Sequence, residues 1–162
     1  MLKIEKIGYD KLENLLSMYR EKAKWLNKIG KPMWNMEFLE KSKFIKKYND
    51  PECFIAYLNN SPIGGFILVE RDEFFWGANS HLGAYYIHKI VVKDGYTGQG
   101  NAQKMIKWAE AYAKIAGKEK IRLDCYEDRN YLMQLYTSCG FNLVEVKTMP
   151  DGIRIAQFEK KL

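Results

Sequence analysis

Between residues 84 and 116 the hydrophobic period of the chain changes once, and abruptly. Ala84 to Val92 is an apolar-rich run of β character, the longest in the sequence. After it, Ala102, Met105, Ile106, Ala109, Ala113 and Ala116 recur at helical spacing, with Gln103, Lys107, Glu110 and Lys114 off that stripe. The segment between them holds Gly95, Gly98 and Gly100. Glycine lets a backbone turn tightly and aim successive amides outward. At a helix N-terminus those amides add to the positive end of the helix dipole, which favours a phosphate. A plain turn followed by a helix start fits the same residues. The segment lacks the Lys-Ser/Thr pair of a P-loop and the full GxGxxG spacing of a dinucleotide fold, which disfavours nucleotide hydrolysis and hydride transfer.

The rest of the chain supplies strands and helices around this unit. Leu2, Ile4 and Ile7 read as a short strand, and Asp10 with Glu13 reads as a capping box for a helix with Leu12, Leu15, Leu16, Tyr19, Ala23 and Leu26 on its apolar face. Asn35 is expected to cap a second helix running to about Tyr48. Cys53 to Leu58 and Ile63 to Glu70 form a hairpin across Asn59, Asn60, Ser61 and Pro62, and a polar loop near Gly77 to Gly83 leads to the long strand. Beyond Gly117 come a strand at Ile121, Leu123 and Cys125, and a short helix with Leu132, Leu135, Tyr136 and Cys139 on one face. Two final strands flank Pro150, Asp151 and Gly152. The order is β α α β β β α β α β β, an α/β chain with a central mixed sheet of about seven strands and about four helices.

With 162 residues, 47% hydrophobic and no repeat or linker-like tract, the chain reads as one domain over residues 1–162. No run is long and apolar enough to span a bilayer, and the start has no signal-peptide pattern, so a cytoplasmic location is expected. Cys53, Cys125 and Cys139 are far apart, without a CxxC pair or a histidine at ligand spacing; reduced buried thiols and no metal are expected. The net charge of +6 is spread out. Its densest group, Lys41, Lys43, Lys46 and Lys47, reads as a solvated helix face in preference to a nucleic-acid patch.

The segment Thr97-Gly98-Gln99-Gly100-Asn101-Ala102 resembles the Gln/Arg-x-x-Gly-x-Gly/Ala signature of the GNAT superfamily of N-acetyltransferases. The resemblance continues through His88-Lys89-Ile90-Val91-Val92, Arg122-Leu123-Asp124-Cys125, Leu135-Tyr136 and Gly140-Phe141, so nearly the whole chain is covered in order. It implies a GNAT-like fold that binds acetyl-CoA and acetylates a primary amine in a ternary complex. The signature implies that main-chain groups of residues 97–102, from Thr97 through Asn101 and Ala102, hold the CoA pyrophosphate. The strand positions Ile90, Val91 and Val92 would offer main-chain groups to the pantetheine and acetyl carbonyl, the latter lying between diverging parallel strands in family members. Thr97 stands where the family usually has Arg or Gln, which costs a charged contact.

Tyr136, four residues before Gly140-Phe141, matches the family's proton donor to the departing thiolate, in preference to a packing role in the helix stripe. Asn130 lies one place after the position, here Arg129, that touches pantetheine in the family, and a helix cap is the other reading. For the base that neutralises the amine, His88 on the central strand is the candidate, set against a hydrogen-bonded structural histidine; Glu70 and Asp124 are weaker. Trp34 and Trp76, with Trp25, Phe75 and Met149, are candidates for an apolar acceptor wall or for core. Gly30-Lys-Pro-Met-Trp34 resembles an element of some small bacterial GNAT enzymes, which implies a small-molecule amine as substrate. A non-catalytic CoA-binding module, a protein amine as acceptor or another acyl donor stay open, as does a homodimer; no membrane partner is expected.

Overall fold

The structure is a computed structural model that describes residues 1–80 and 82–162. Seven strands form one mixed sheet in the order β1-β2-β3-β4-β5-β7-β6. They are β1 (Leu2–Ile7), β2 (Glu52–Leu58), β3 (Ser61–Val69), β4 (Ala84–Val92), β5 (Lys120–Tyr126), β6 (Asn142–Thr148) and β7 (Arg154–Lys161). The helices are α1 (Leu12–Lys28), α2 (Lys41–Tyr48), α3 (Glu73–Trp76), α4 (Asn101–Ile115) and α5 (Asn130–Ser138). Among the described residues no helix is long and apolar enough to cross a membrane.

Two compact units divide the chain, one of residues 1–69 with 89–105 and one of residues 70–88 with 106–162. In the first, β1 pairs antiparallel with β2, and β2 with β3, through a tight turn in which Asn59 and Asn60 both take positive φ. Asparagine tolerates that region better than most side chains, so the Asn-Asn pair fits a reversal that matches strand twist. α1 buries Leu12, Leu15, Leu16, Met18, Tyr19, Ala23 and Leu26. Its four leucines alone contribute roughly 6–12 kcal/mol of apolar burial before conformational entropy is counted. Phe44 of α2, Ile55, Ile67 and Val91 join the same cluster.

Two helix starts differ from the sequence reading. Asp10 sits inside a 3-10 turn over Tyr9–Lys11, and Lys11 occupies the N-cap of α1 without a side-chain cap bond. A residue already in a helical turn lacks the extended backbone an N-cap needs, so the Asp10–Glu13 capping box does not form. Asn35 does cap, accepting from the Glu37 amide at 3.0 Å, but it caps a 3-10 turn that stops at Leu39 before α2 begins.

In the second unit β4 and β5 run parallel, with Ala84, Tyr85 and Tyr86 in register with Lys120, Ile121 and Arg122. β5 and β6 each pair antiparallel with β7. Gly117, at φ +82, ends α4, where the Lys118 amide donates to the Ala113 carbonyl at 3.0 Å. The segment expected as a loop near 77–83 is preceded by α3 and includes a 3-10 turn over Gly77–Asn79; His81 lies outside the described residues. Asp72 heads α3 and accepts from the Phe75 amide at 3.1 Å, a capping signal present in the sequence and overlooked there.

Candidate active site

In the first unit the glycine segment follows β4 directly. Its root is fixed by close strand contact: the Lys93 amide donates to the Ile63 carbonyl at 2.7 Å, and a Cβ placed on Gly64 would lie 2.3 Å from the Val91 carbonyl oxygen. Only glycine fits there. Gly98 and Gly100 take φ +70 and +78, and a Cβ at either would meet nothing within 4 Å. Their constraint is therefore conformational, and the space beside them is open. The side chains of Gln99 and Asn101 turn back to brace the segment, donating to the Gly95 carbonyl at 3.0 Å and the Tyr96 carbonyl at 2.9 Å. Lys22 of α1 holds Asp94 at 2.9 Å.

With its own carbonyls bridged in this way, the segment presents amides. Among the described residues, no main-chain bond outside the helices and strands is donated by the amides of residues 97–102. Thr97, Gly98 and Gln99 are exposed, Gly100 and Ala102 half-buried. The first amides of α4 have no intrahelical acceptor by construction. The segment can therefore offer a run of N–H donors and the positive end of a four-turn helix to an anion. Ile90 and Val92 are half-buried and Val91 is in the core.

One residue of β4 breaks strand geometry. Lys89 takes φ +53, a region that costs a side-chain-bearing residue about 1–2 kcal/mol. Its ammonium lies 5.2 Å from the Trp34 ring and 5.7 Å from the Tyr48 ring, contacts each worth about 0.5–2 kcal/mol. Trp34 also meets Tyr19 edge-on at 5.2 Å, so it belongs to the aromatic packing of the first unit.

In the second unit, Tyr136 of α5 is 5% exposed and meets Phe158 edge-on at 5.6 Å. Burial pushes its phenol well above the ordinary value, and Cys125 and Asp124 add to the rise. The group therefore keeps its proton at neutral pH and has an O–H to donate. Burial likewise pushes the Cys125 thiol up to about 12, and its sulfur faces Met133 Sδ at 3.6 Å. A thiol held protonated is a poor nucleophile. Arg129 is the N-cap of α5 without a side-chain cap bond, and Asn130 is its exposed first residue. The helix-cap reading of Asn130 does not hold, because its backbone is already helical.

The second unit also carries a polar sheet face that no linear motif announced. Register places Tyr86 beside Arg122, Arg122 beside Glu159 and Asp124 beside Gln157, while His88 follows Tyr86 by two residues. The segment from Asp72 to Ser80 covers this face. Tyr86 Oη donates to the Ser80 carbonyl, Gln157 Nε2 to the Phe75 carbonyl, and Trp76 meets Tyr86 at 5.7 Å with the Arg122 guanidinium 4.5 Å from its ring. Arg122 and Lys120 both go to Glu159. At the far end, His88 Nε2 lies 3.3 Å from Asp72 Oδ2. One atom each of Asp72, His88 and Asp124 falls within 4.8 Å of the others. The three side chains, from the N-cap of α3, from β4 and from β5, thus meet in one small polar cluster. Glu70, by contrast, is exposed and paired with Lys118 at 2.8 Å.

The structure thus sets Trp34 in one unit and Trp76 in the other, each with a cation on its ring, and gathers His88 with Asp72 and Asp124. Comparison with known proteins then bears on the chain as a whole. It is 25% identical over 166 residues to the uncharacterized N-acetyltransferase YesJ of Bacillus subtilis, covering 95% of this chain and 87% of that protein. The crystal structure of a GNAT-family acetyltransferase from Listeria monocytogenes matches with a TM-score of 0.78 at 19% identity, over 99% of this chain and 95% of that one. That of yncA, a putative acetyltransferase from Salmonella typhimurium solved with its cofactor acetyl-CoA, matches with a TM-score of 0.74 at 12% identity, over 99% and 94%. Residues 14–141 match the Acetyltransferase (GNAT) family, and by that match, on a seven-stranded mixed sheet of the same fold, the chain belongs to the GNAT N-acetyltransferases.

Proposed function

We propose that the chain works as one domain that binds acetyl-CoA and passes the acetyl group directly to a primary amine of a small molecule. The observation that carries this reading is that, among the described residues, the amides of residues 97–102 at the N-terminus of α4 donate no main-chain bond outside the helices and strands. A diphosphate is an anion that such a set satisfies without a charged side chain, which offsets the missing Arg or Gln at Thr97. Main-chain groups of Ile90 and Val92 would align the pantetheine and polarise the acetyl carbonyl. Asn130, exposed at the start of α5, is a further contact to the cofactor.

Attack of a neutral amine on the thioester carbon forms the C–N bond and breaks the C–S bond. The electron pair leaves on sulfur, Tyr136 supplies a proton to it, and the nitrogen, cationic after attack, gives up one proton that returns through solvent to the phenolate. The phenol enters the step protonated, and the hydrogen bond it donates stabilises the thiolate as it forms. Cys125, protonated to about 12, is unsuited to an acyl-enzyme, which favours direct transfer. Trp34 and Trp76 are the aromatic contacts assigned to the acceptor in this reading.

The test is a screen of small primary amines with acetyl-CoA that follows free thiol, run beside calorimetry with CoA. Saturable CoA binding and amine-dependent thiol release are expected. CoA binding with no turnover on any amine or peptide would leave a regulatory module; absence of CoA binding would end the proposal.

A further inference from the structure

We propose that Asp72, His88 and Asp124 form a binding site for one first-row divalent metal ion of the zinc type, held by one imidazole nitrogen and two carboxylate oxygens. The inference goes beyond acetyl transfer and does not depend on it. The three residues come from the N-cap of α3, from β4 and from β5, all within the second unit. One ligand atom of each lies within 4.8 Å of the others. Ions of this class bind N and O ligands at about 2.0–2.2 Å, so two ligands in a tetrahedral arrangement stand about 3.4 Å apart. His88 Nε2 and Asp72 Oδ2 are 3.3 Å apart.

A second observation separates this from an ordinary ion pair. The Asp72 side chain is 7% exposed, and its Oδ2 is a buried oxygen that accepts no hydrogen bond, although His88 Nε2 is within reach. The two atoms sit at the spacing of a ligand edge. Asp72 Oδ1 is meanwhile fixed by the Phe75 amide, which sets the carboxylate's orientation as an outer hydrogen bond does in metal sites. Arg122, the cation on the same sheet face, is committed to Glu159 and Tyr86. The mixed imidazole and carboxylate set fits zinc, cobalt or manganese better than magnesium or calcium, which prefer oxygen ligands alone. Three protein ligands leave a coordination position for water or another small donor.

The experiment uses the full chain without an affinity tag, stripped with a chelator and then titrated with Zn2+ by calorimetry and with Co2+ by visible absorption. One ion per chain is expected, with a cobalt spectrum free of thiolate charge-transfer bands and no displacement by equimolar Mg2+. Asp72→Asn and His88→Gln should each weaken Zn2+ by more than the ~10–100-fold typical of losing an outer-shell partner. Thermal melts of each variant without metal establish that it folds; Asp124→Asn replaces any variant that does not. Absence of saturable Zn2+ binding, equal affinity in the Asp72 and His88 variants, or a thiolate band would overturn the proposal.

Discussion

The segment at residues 93–102 and the cluster of Asp72, His88 and Asp124 are built on opposite principles. The first is contiguous, glycine-rich and works through main-chain groups, with its side chains at Gln99 and Asn101 turned inward as braces. The second gathers side chains from residues far apart in the chain, and its backbone is ordinary strand and helix cap. A main-chain site tolerates changes of side chain as long as φ is respected, which is how Thr97 can replace an expected Arg or Gln. A side-chain site tolerates changes of backbone neighbours but no loss of any one functional group.

Four perturbations would break or sharpen that contrast. The largest effect is expected from Gly100→Val: at φ +78 a branched side chain is strained by about 1–2 kcal/mol and projects into the open space beside the amides, so CoA affinity should fall ~100-fold or more in calorimetry. Unchanged affinity would mean that the main-chain segment is not the anion site. Tyr136→Phe should lower turnover ~100-fold while CoA binding persists; equal turnover would reduce Tyr136 to its packing against Phe158.

Gly64→Ala tests whether close strand approach supports the segment. The added Cβ would lie 2.3 Å from the Val91 carbonyl oxygen, and a loss of about 1–3 kcal/mol is expected in urea unfolding. A variant as stable as the parent would show that β3 and Val91 can part without cost. The smallest effect concerns alkaline stability. Burial lifts the Cys53 and Cys125 thiols from 9.0 to about 12. Above pH 9 the unfolded chain loses protons that the folded chain retains, so stability is whole below that pH and declines as pH rises toward 12. Each thiol contributes at most about 1.4 kcal/mol per pH unit. Unfolding curves between about pH 8 and 10 should show this slope, and a Cys53→Ala, Cys125→Ala pair should flatten it; an unaltered slope would assign it to other groups.

Strand β4 from Ala84 to Val92 and the helix beginning beside Gly100 were legible because alternation, helical spacing and glycine are local properties of the chain. The break at Lys89 was not, since a lysine at positive φ is sustained by Trp34 and Tyr48, residues remote in sequence. Short α3 was missed because four residues carry too little periodicity to read, although Asp72 bore its cap. The capping box at Asp10 was misread because the burial of Leu12 and its neighbours, not the local cap, sets where α1 begins.

The sequence by itself determined the order of elements apart from short α3, the glycine segment before α4 and the resemblance that runs through Tyr136, because each depends on neighbours within one or two turns of chain. Only tertiary structure decided which titratable groups meet: strand register and the path of residues 72–80 bring Asp72 and Asp124 to His88. Side-chain proximity across a sheet is fixed by hydrogen-bond register and packing, and neither is written in the spacing of the residues themselves.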